Sequence, residues 1–258
     1  MTYSYIKTEI KDKIGMITIN RPEVRNALHL DTLKEIEFVL ESWRNNDDVL
    51  VVIFTGAGDK SFAAGADIVQ LQKRTMLEAL QPNMTATYRK IEEYEKATIA
   101  AINGFALGGG LELALACDIR IASTNAKLGL PELNLAIIPG AGGTQRLSRL
   151  IGKGKAIEMI LTGDIVTASQ AEEIGLISKA VLLEELMEEA KLLAAKILKK
   201  GPLAVRLAKT VIHQGADLDM GTALLLEKFA QTILMGSQDK NEGTQAFLEK
   251  RVPEFTGK

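Results

Sequence analysis

Apolar and polar positions follow two rhythms along the chain. Ile14-Gly15-Met16-Ile17-Thr18-Ile19 has strand character and stops at the turn signal Asn20-Arg21-Pro22. From Asp31 to Arg44 the period changes. Leu33, Ile36, Leu40 and Trp43 recur at three- and four-residue spacing, which predicts a helix with one apolar face and Asp31 as its N-cap. Val49–Thr55 is short, apolar and rich in β-branched residues, the pattern of a strand buried on both faces.

The alternation continues. Residues 68–96 read as helical with a break near Pro82, Ala97–Asn103 as a strand, and Gly108–Cys117 as a helix opened by glycines. Asp118–Ala122 and Lys127–Leu130 read as short strands. Helices are expected over Gly143–Ile151, Lys153–Thr162 and Ser169–Glu173, and a last strand over Leu176–Val181. Beyond Leu183 the strand pattern ends. Leu186–Lys199, Pro202–Gln214, Met220–Met235 and Lys240–Lys250 read as helices punctuated by Pro202 and Gly236. The expected organisation is an α/β core over residues 1–199 and a helical region over 200–258. That tail either covers the core or packs on neighbouring subunits, and the pattern leaves both open.

Composition narrows the class. Of 258 residues, 47% are hydrophobic and only 5% aromatic, so the core is expected to be aliphatic. The formal net charge of −2 lacks the basic excess of a nucleic-acid footprint. The one cysteine, Cys117, lies in an apolar run and reads as a core residue. The opening Met1-Thr2-Tyr3-Ser4 has no basic-then-apolar signal pattern, and no long apolar run would span a membrane. A cytoplasmic protein with neither nucleic-acid nor membrane partner is expected. His29 and His213 are far apart and show no ligand spacing, so no metal site is expected.

Four segments depart from ordinary core design: Ser61–Asp67, Asn103–Glu112, Leu130–Leu133 and Ile138–Thr144. The run Gly108-Gly109-Gly110 follows a strand and opens a helix. Glycine lets a ligand approach the backbone, and a helix start leaves N–H groups unpaired and partly positive, which suits an anionic oxygen. The spacing is neither a P-loop nor a dinucleotide fingerprint. A tight turn would use glycines in the same way. Glu112 lies one turn into that helix among Leu111, Leu113 and Ala114, and Glu132 follows Pro131 among leucines. A carboxylate in such surroundings is paired, protonated or functional. Small residues at Ala63–Ala66 would expose their N–H groups beside a buried strand.

In order and spacing, these motifs resemble the crotonase superfamily, and within it enoyl-CoA hydratase, over almost the whole chain, from Asn20-Arg21-Pro22 to Phe247–Arg251. The resemblance implies an α/β spiral of strand-strand-helix units followed by a helical trimerisation region, assembled as a homotrimer or hexamer. It implies an acyl-CoA thioester substrate and no separate cofactor. It matches Ala66 and Gly109 to the oxyanion-hole donors, with Gly108 in support, and Glu112 and Glu132 to the two acid–base carboxylates. Ala64, Ala66, Asp67 and Ile68 match the loop that cradles coenzyme A. Gly140 matches a position whose N–H helps hold the second glutamate, and residues 71–80 are candidates for lining the acyl site. Two positions depart: Val69 stands where some hydratases carry lysine, and Leu130 where some relatives carry a polar residue. Isomerisation or another acyl-CoA reaction is the nearest alternative, and a non-catalytic or RNA-binding relative a more distant one.

Overall fold

A computed structural model of the chain describes residues 3–81 and 83–258; the expected break at Pro82 lies outside them. The chain opens with an antiparallel hairpin, β1 (Ile6–Lys11) and β2 (Ile14–Ile19). Its two turn residues, Asp12 and Lys13, take φ of 52° and 61°, the primed-turn geometry that matches strand twist. Strand β1 was not expected. It is an edge strand that buries only Ile6, so it has no apolar rhythm to read.

Helix α1 (Leu30–Arg44) buries Leu33, Ile36, Leu40 and Trp43, as their spacing predicts. Its cap is His29, whose Nδ1 accepts the Thr32 N–H at 3.1 Å; Asp31 instead pairs with Lys34 on the surface.

A spiral follows. Its first turn is β3 (Val51–Gly56), β4 (Ser61–Ala63) and three short helices, α2 (Ile68–Lys73), α3 (Met76–Ala79) and α4 (Met84–Glu92). The second is β5 (Ala97–Ile102), β6 (Phe105–Leu107) and α5 (Gly109–Ala116). The third is β7 (Ile119–Ser123), β8 (Lys127–Gly129), α6 (Gly143–Ile151) and α7 (Lys153–Thr162). Then come β9 (Ile165–Thr167), α8 (Ala168–Glu173) and β10 (Lys179–Val181). The long strands join one sheet, ordered β1-β2-β3-β5-β7-β10, and the short ones a second, ordered β4-β6-β8-β9. Each turn therefore adds one strand to each sheet.

Strands β3 and β5 are buried along their whole length because both faces of the larger sheet are covered. Val52, Phe54, Ala100 and Ile102 join the main core with α1 and α5. Val51, Ile53, Ile99 and Ala101 face the other way, against Leu186, Ala190 and Ala194 of α9 (Leu186–Leu198). Helix α9 thus packs into the core. The rest of the tail, α10 (Pro202–Gly215), α11 (Met220–Met235) and α12 (Gln238–Glu249), is differently held. Helix α10 buries no residue fully, and it is fastened by polar contacts. Asp118 receives Lys209 Nζ at 2.8 Å, His213 Nε2 at 2.9 Å and the Thr98 N–H at 2.7 Å.

Candidate active site

Strands β4, β6 and β8 are parallel neighbours, so their C-terminal ends lie side by side. The segments that leave those ends are Ala64–Asp67, Gly108–Glu112 and Leu130–Glu132. Segments separate in sequence thus meet at one edge of the smaller sheet, the kind of place where α/β folds gather ligands.

The first anion cradle is made of main chain. Leu28 forms a parallel bridge with Ala66, using the Gly65 carbonyl and the Asp67 N–H. Bridge geometry then turns the Ala66 N–H to the opposite side. The Gly109 N–H starts α5 and has no carbonyl one turn back. Neither N–H makes a hydrogen bond among the described residues. The two positions are close, because a Cβ added to Gly109 would sit 3.4 Å from the Ala66 nitrogen. Behind them, buried Tyr88 donates its hydroxyl to the Gly109 carbonyl at 2.6 Å, which fixes the first turn of α5.

Gly108 takes φ 51° and ψ −127°, a conformation that side chains resist. A Cβ there would come 3.0 Å from Glu132 Oε1, so Glu132 lies directly against this backbone. Glu132 begins a short 3-10 turn, Glu132–Leu135, which ends at Ala136 in the left-handed region. Its Oε2 is buried with no hydrogen-bond partner. Burial, together with the charge of nearby Glu112, pushes the Glu132 carboxyl up to about 7.

Glu112 is fully enclosed. Its Oε1 accepts the N–H of Ala141 at 2.7 Å and of Gly143 at 2.8 Å, a second main-chain cradle at the start of α6. Burial raises its pKa, and these two donors and the Arg146 charge offset only part of that rise. The two carboxyl groups therefore differ in surroundings: Glu112 accepts two main-chain donors that favour its ionised form, whereas Oε2 of Glu132 has no partner.

The remaining expected positions divide. Asp67 caps α2, accepting from Val69 and Gln70, and pairs with Arg21 at 3.3 Å. Ala64 donates to the Arg25 carbonyl, and Ile68 is exposed beside the Ala66 loop. The role expected of Gly140 is corrected. The donors to a glutamate are Ala141 and Gly143, they serve Glu112, and Gly140 instead offers its carbonyl to Thr85 Oγ1 at 2.8 Å. Gly142, at φ 104°, bends the loop between the two donors. Residues 71–80 run from the end of α2 through α3, with Met76, Leu77 and Leu80 exposed. Met84 was not expected; its sulfur lies against Gly109. A signal existed in the glycines at 142 and 143, whereas nothing local marks Tyr88 or Met84.

Comparison with known proteins now decides the family. The model of the family described as enoyl-CoA hydratase/isomerase matches residues 9–258. The chain belongs to the enoyl-CoA hydratase/isomerase family. It is 46% identical over 260 positions to the crotonyl-CoA hydratase of Syntrophomonas wolfei, spanning 100% of both chains. It is 46% identical over 253 residues to the short-chain-enoyl-CoA hydratase of Clostridium acetobutylicum, covering 97% of each. The crystal structure of enoyl-CoA hydratase from Bacillus anthracis superposes with a TM-score of 0.94 at 43% identity, over 99% of this chain and 100% of that one. The crotonase spiral is thus the fold of this family member.

Proposed function

We propose that the protein is an enoyl-CoA hydratase that adds water reversibly across the double bond of a trans-2-enoyl-CoA to give a 3-hydroxyacyl-CoA. The observation that carries this reading is the unequal glutamate pair beside two main-chain donors, Ala66 and Gly109, that no acceptor among the described residues takes. Glu132 keeps an unpartnered, buried Oε2 and a raised pKa, while Glu112 is stabilised as a carboxylate by two N–H groups.

The chemistry follows from that asymmetry. The thioester carbonyl oxygen accepts from the N–H groups of Ala66 and Gly109, which draws electrons from the β-carbon. Glu112 takes one proton of a water as its oxygen bonds to that carbon. The π pair moves toward the carbonyl, and the enolate charge falls on the oxygen held by the two donors. The enolate then takes a proton at its α-carbon from Glu132. Proton exchange between the carboxyl groups and solvent restores the starting state. The donors are fixed before reaction and favour the transition state over the ground state. Coenzyme A enters as part of the substrate, and the scheme uses no further cofactor. The half-buried loop of Ala64, Ala66 and Asp67, with exposed Ile68, is where its pantetheine and adenine would lie.

The assembly belongs to the same proposal. Met220, Leu224, Leu225, Phe229 and Ile233 of α11 are each at least half exposed, an apolar surface that subunit contact would cover. A homotrimer or a hexamer of two trimers fits the tail, and sedimentation velocity tests it. No helix among the described residues is long and apolar enough to cross a membrane. With a buried free thiol at Cys117, a cytoplasmic setting is proposed.

Loss of conjugated enoyl absorbance from crotonyl-CoA tests the reaction. Glu112→Gln and Glu132→Gln should each lower kcat by at least about 100-fold. Near-wild-type turnover in either would refute the scheme. A parallel incubation with a 3-enoyl-CoA tests isomerisation, and a faster reaction there would replace hydration as the activity.

A further inference from the structure

The loop that holds Glu112 is itself folded around a single guanidinium. Arg146, in the second turn of α6, donates Nη1 to the Ala141 carbonyl at 3.0 Å. Its Nε and Nη2 meet the two oxygens of Glu92 at 2.9 and 2.8 Å, a bidentate pair across to α4. Both side chains are mostly buried, at 15% and 29% exposed. Gly142 lies so close that a Cβ there would collide with Nη1. From the other side, Thr85 of α4 donates to the Gly140 carbonyl. The segment Gly140–Gly143 is thus clamped between α4 and a side chain of the helix it opens.

We propose that Arg146 and Glu92 are positioning residues for the hydration, acting as a clamp that keeps the N–H groups of Ala141 and Gly143 aimed at Glu112. The proposal rests on the role of Glu112 given above. Arg146 does not reach the reacting atoms. It fixes the peptide that follows Ala141, and through it the direction of the two donors. The guanidinium charge also favours the ionised form of Glu112. Lysine would supply charge without the planar fork that matches a carboxylate and a carbonyl together.

The charged and titratable neighbours are known. Glu112 faces Arg146, Glu132 and Tyr88; Glu92 feels Arg146, Arg89 and His213; Cys117 closes α5 beneath Tyr88. Removing Arg146 takes away a stabilising charge and loosens two donors, so Glu112 holds its proton to higher pH. The acidic limb of the kcat profile should then move upward in pH.

The test measures kcat, KM and the kcat–pH profile with crotonyl-CoA for Arg146→Gln, Arg146→Lys, Glu92→Gln and Glu112→Gln, each beside its thermal melt. Arg146→Gln should lose about 10- to 100-fold in kcat with KM within about threefold, since misaligned donors cost turnover more than binding. Its acidic limb should rise, and Arg146→Lys should return most of the limb but only part of kcat. Glu92→Gln should move in the same direction by less. If Arg146→Gln does not fold, the lysine and Glu92 variants carry the same comparison. A folded Arg146→Gln with wild-type kcat would overturn the proposal, as would a loss of activity with the limb unmoved. Glu112→Gln separates the two levels. If it is inactive while Arg146→Gln is normal, only the clamp fails; if it is active, the role of Glu112 fails and the clamp with it.

Discussion

The backbone of Gly108 and the carboxyl of Glu132 are in contact, so closely that one added methyl on Gly108 would lie 3.0 Å from Oε1. The glycine is therefore required twice, by its φ of 51° and by its neighbour. Gly108→Ala should destabilise the fold by about 1–3 kcal/mol through backbone strain. It should also lower kcat about 100-fold by displacing a proton donor. Denaturant unfolding and steady-state hydration read the two effects separately, and an alanine variant with unchanged kcat would contradict the geometry.

Glu132, with its pKa pushed up to about 7, should set a limb of the rate profile if it is the proton donor proposed above. In the proposed mechanism hydration needs its proton, so kcat for hydration should fall as pH rises through about 7. Dehydration needs the ionised form and should fall in the opposite direction. Measuring both directions across pH checks the assignment, since a group outside the mechanism would move neither limb.

The same shift bears on stability. The folded protein holds this proton more tightly than the unfolded chain, so stability falls as pH rises from the ordinary glutamate value through about 7. Glu132→Gln removes the charge that burial opposes. Above neutral pH the variant should be more stable than wild type by about 1 kcal/mol, after allowing for partial solvent screening, while nearly inactive. Paired urea melts at pH 5 and pH 8 test this: the gain should appear only at the higher pH, and its absence there would sink the argument.

Asp118 fastens α10 through Lys209 and His213. Contacts with these groups, against the cost of burial, hold its carboxyl below the usual range. The contribution is present above the ordinary aspartate pKa and lost as pH falls through the lower folded value. Asp118→Asn leaves Lys209 buried beside a neutral group and should cost about 3 kcal/mol. Hydrogen exchange should rise first in α10; protection there equal to wild type would show that the clasp is dispensable.

Tyr88→Phe removes one hydrogen bond to the Gly109 carbonyl and leaves the ring in place. Stability should fall by about 1 kcal/mol. Turnover should fall several-fold, because Gly109 also carries one of the two N–H groups proposed as oxyanion donors. Equal kcat in the variant would separate the hydroxyl from the site.

Legibility in the sequence tracked length and burial. Strands β3 and β5, buried on both faces, stand out as apolar runs, and α1 by its spacing. Strands β4, β6 and β9, at three residues each, are too short to display a period. The capping of α1 was misread because Asp31 is the commoner cap, whereas here an imidazole takes the N–H. Glu112 and Glu132 were visible as carboxyls among leucines. The motif match assigns Gly140 to the second glutamate, but a motif does not tell which N–H of a bending loop points inward, and here Ala141 and Gly143 point at Glu112.

Both anion cradles, one at Ala66 and Gly109 and the other at Ala141 and Gly143, consist of peptide N–H groups. Such donors belong to every residue except proline, so these positions store electrostatics in chain path and not in side-chain identity. Substitution at 66 or 141 by any residue but proline therefore leaves in place the field that, in the proposed mechanism, stabilises an enolate. What these cradles ask of the sequence is the spiral and the glycines that bend it, Gly108 and Gly142 above all.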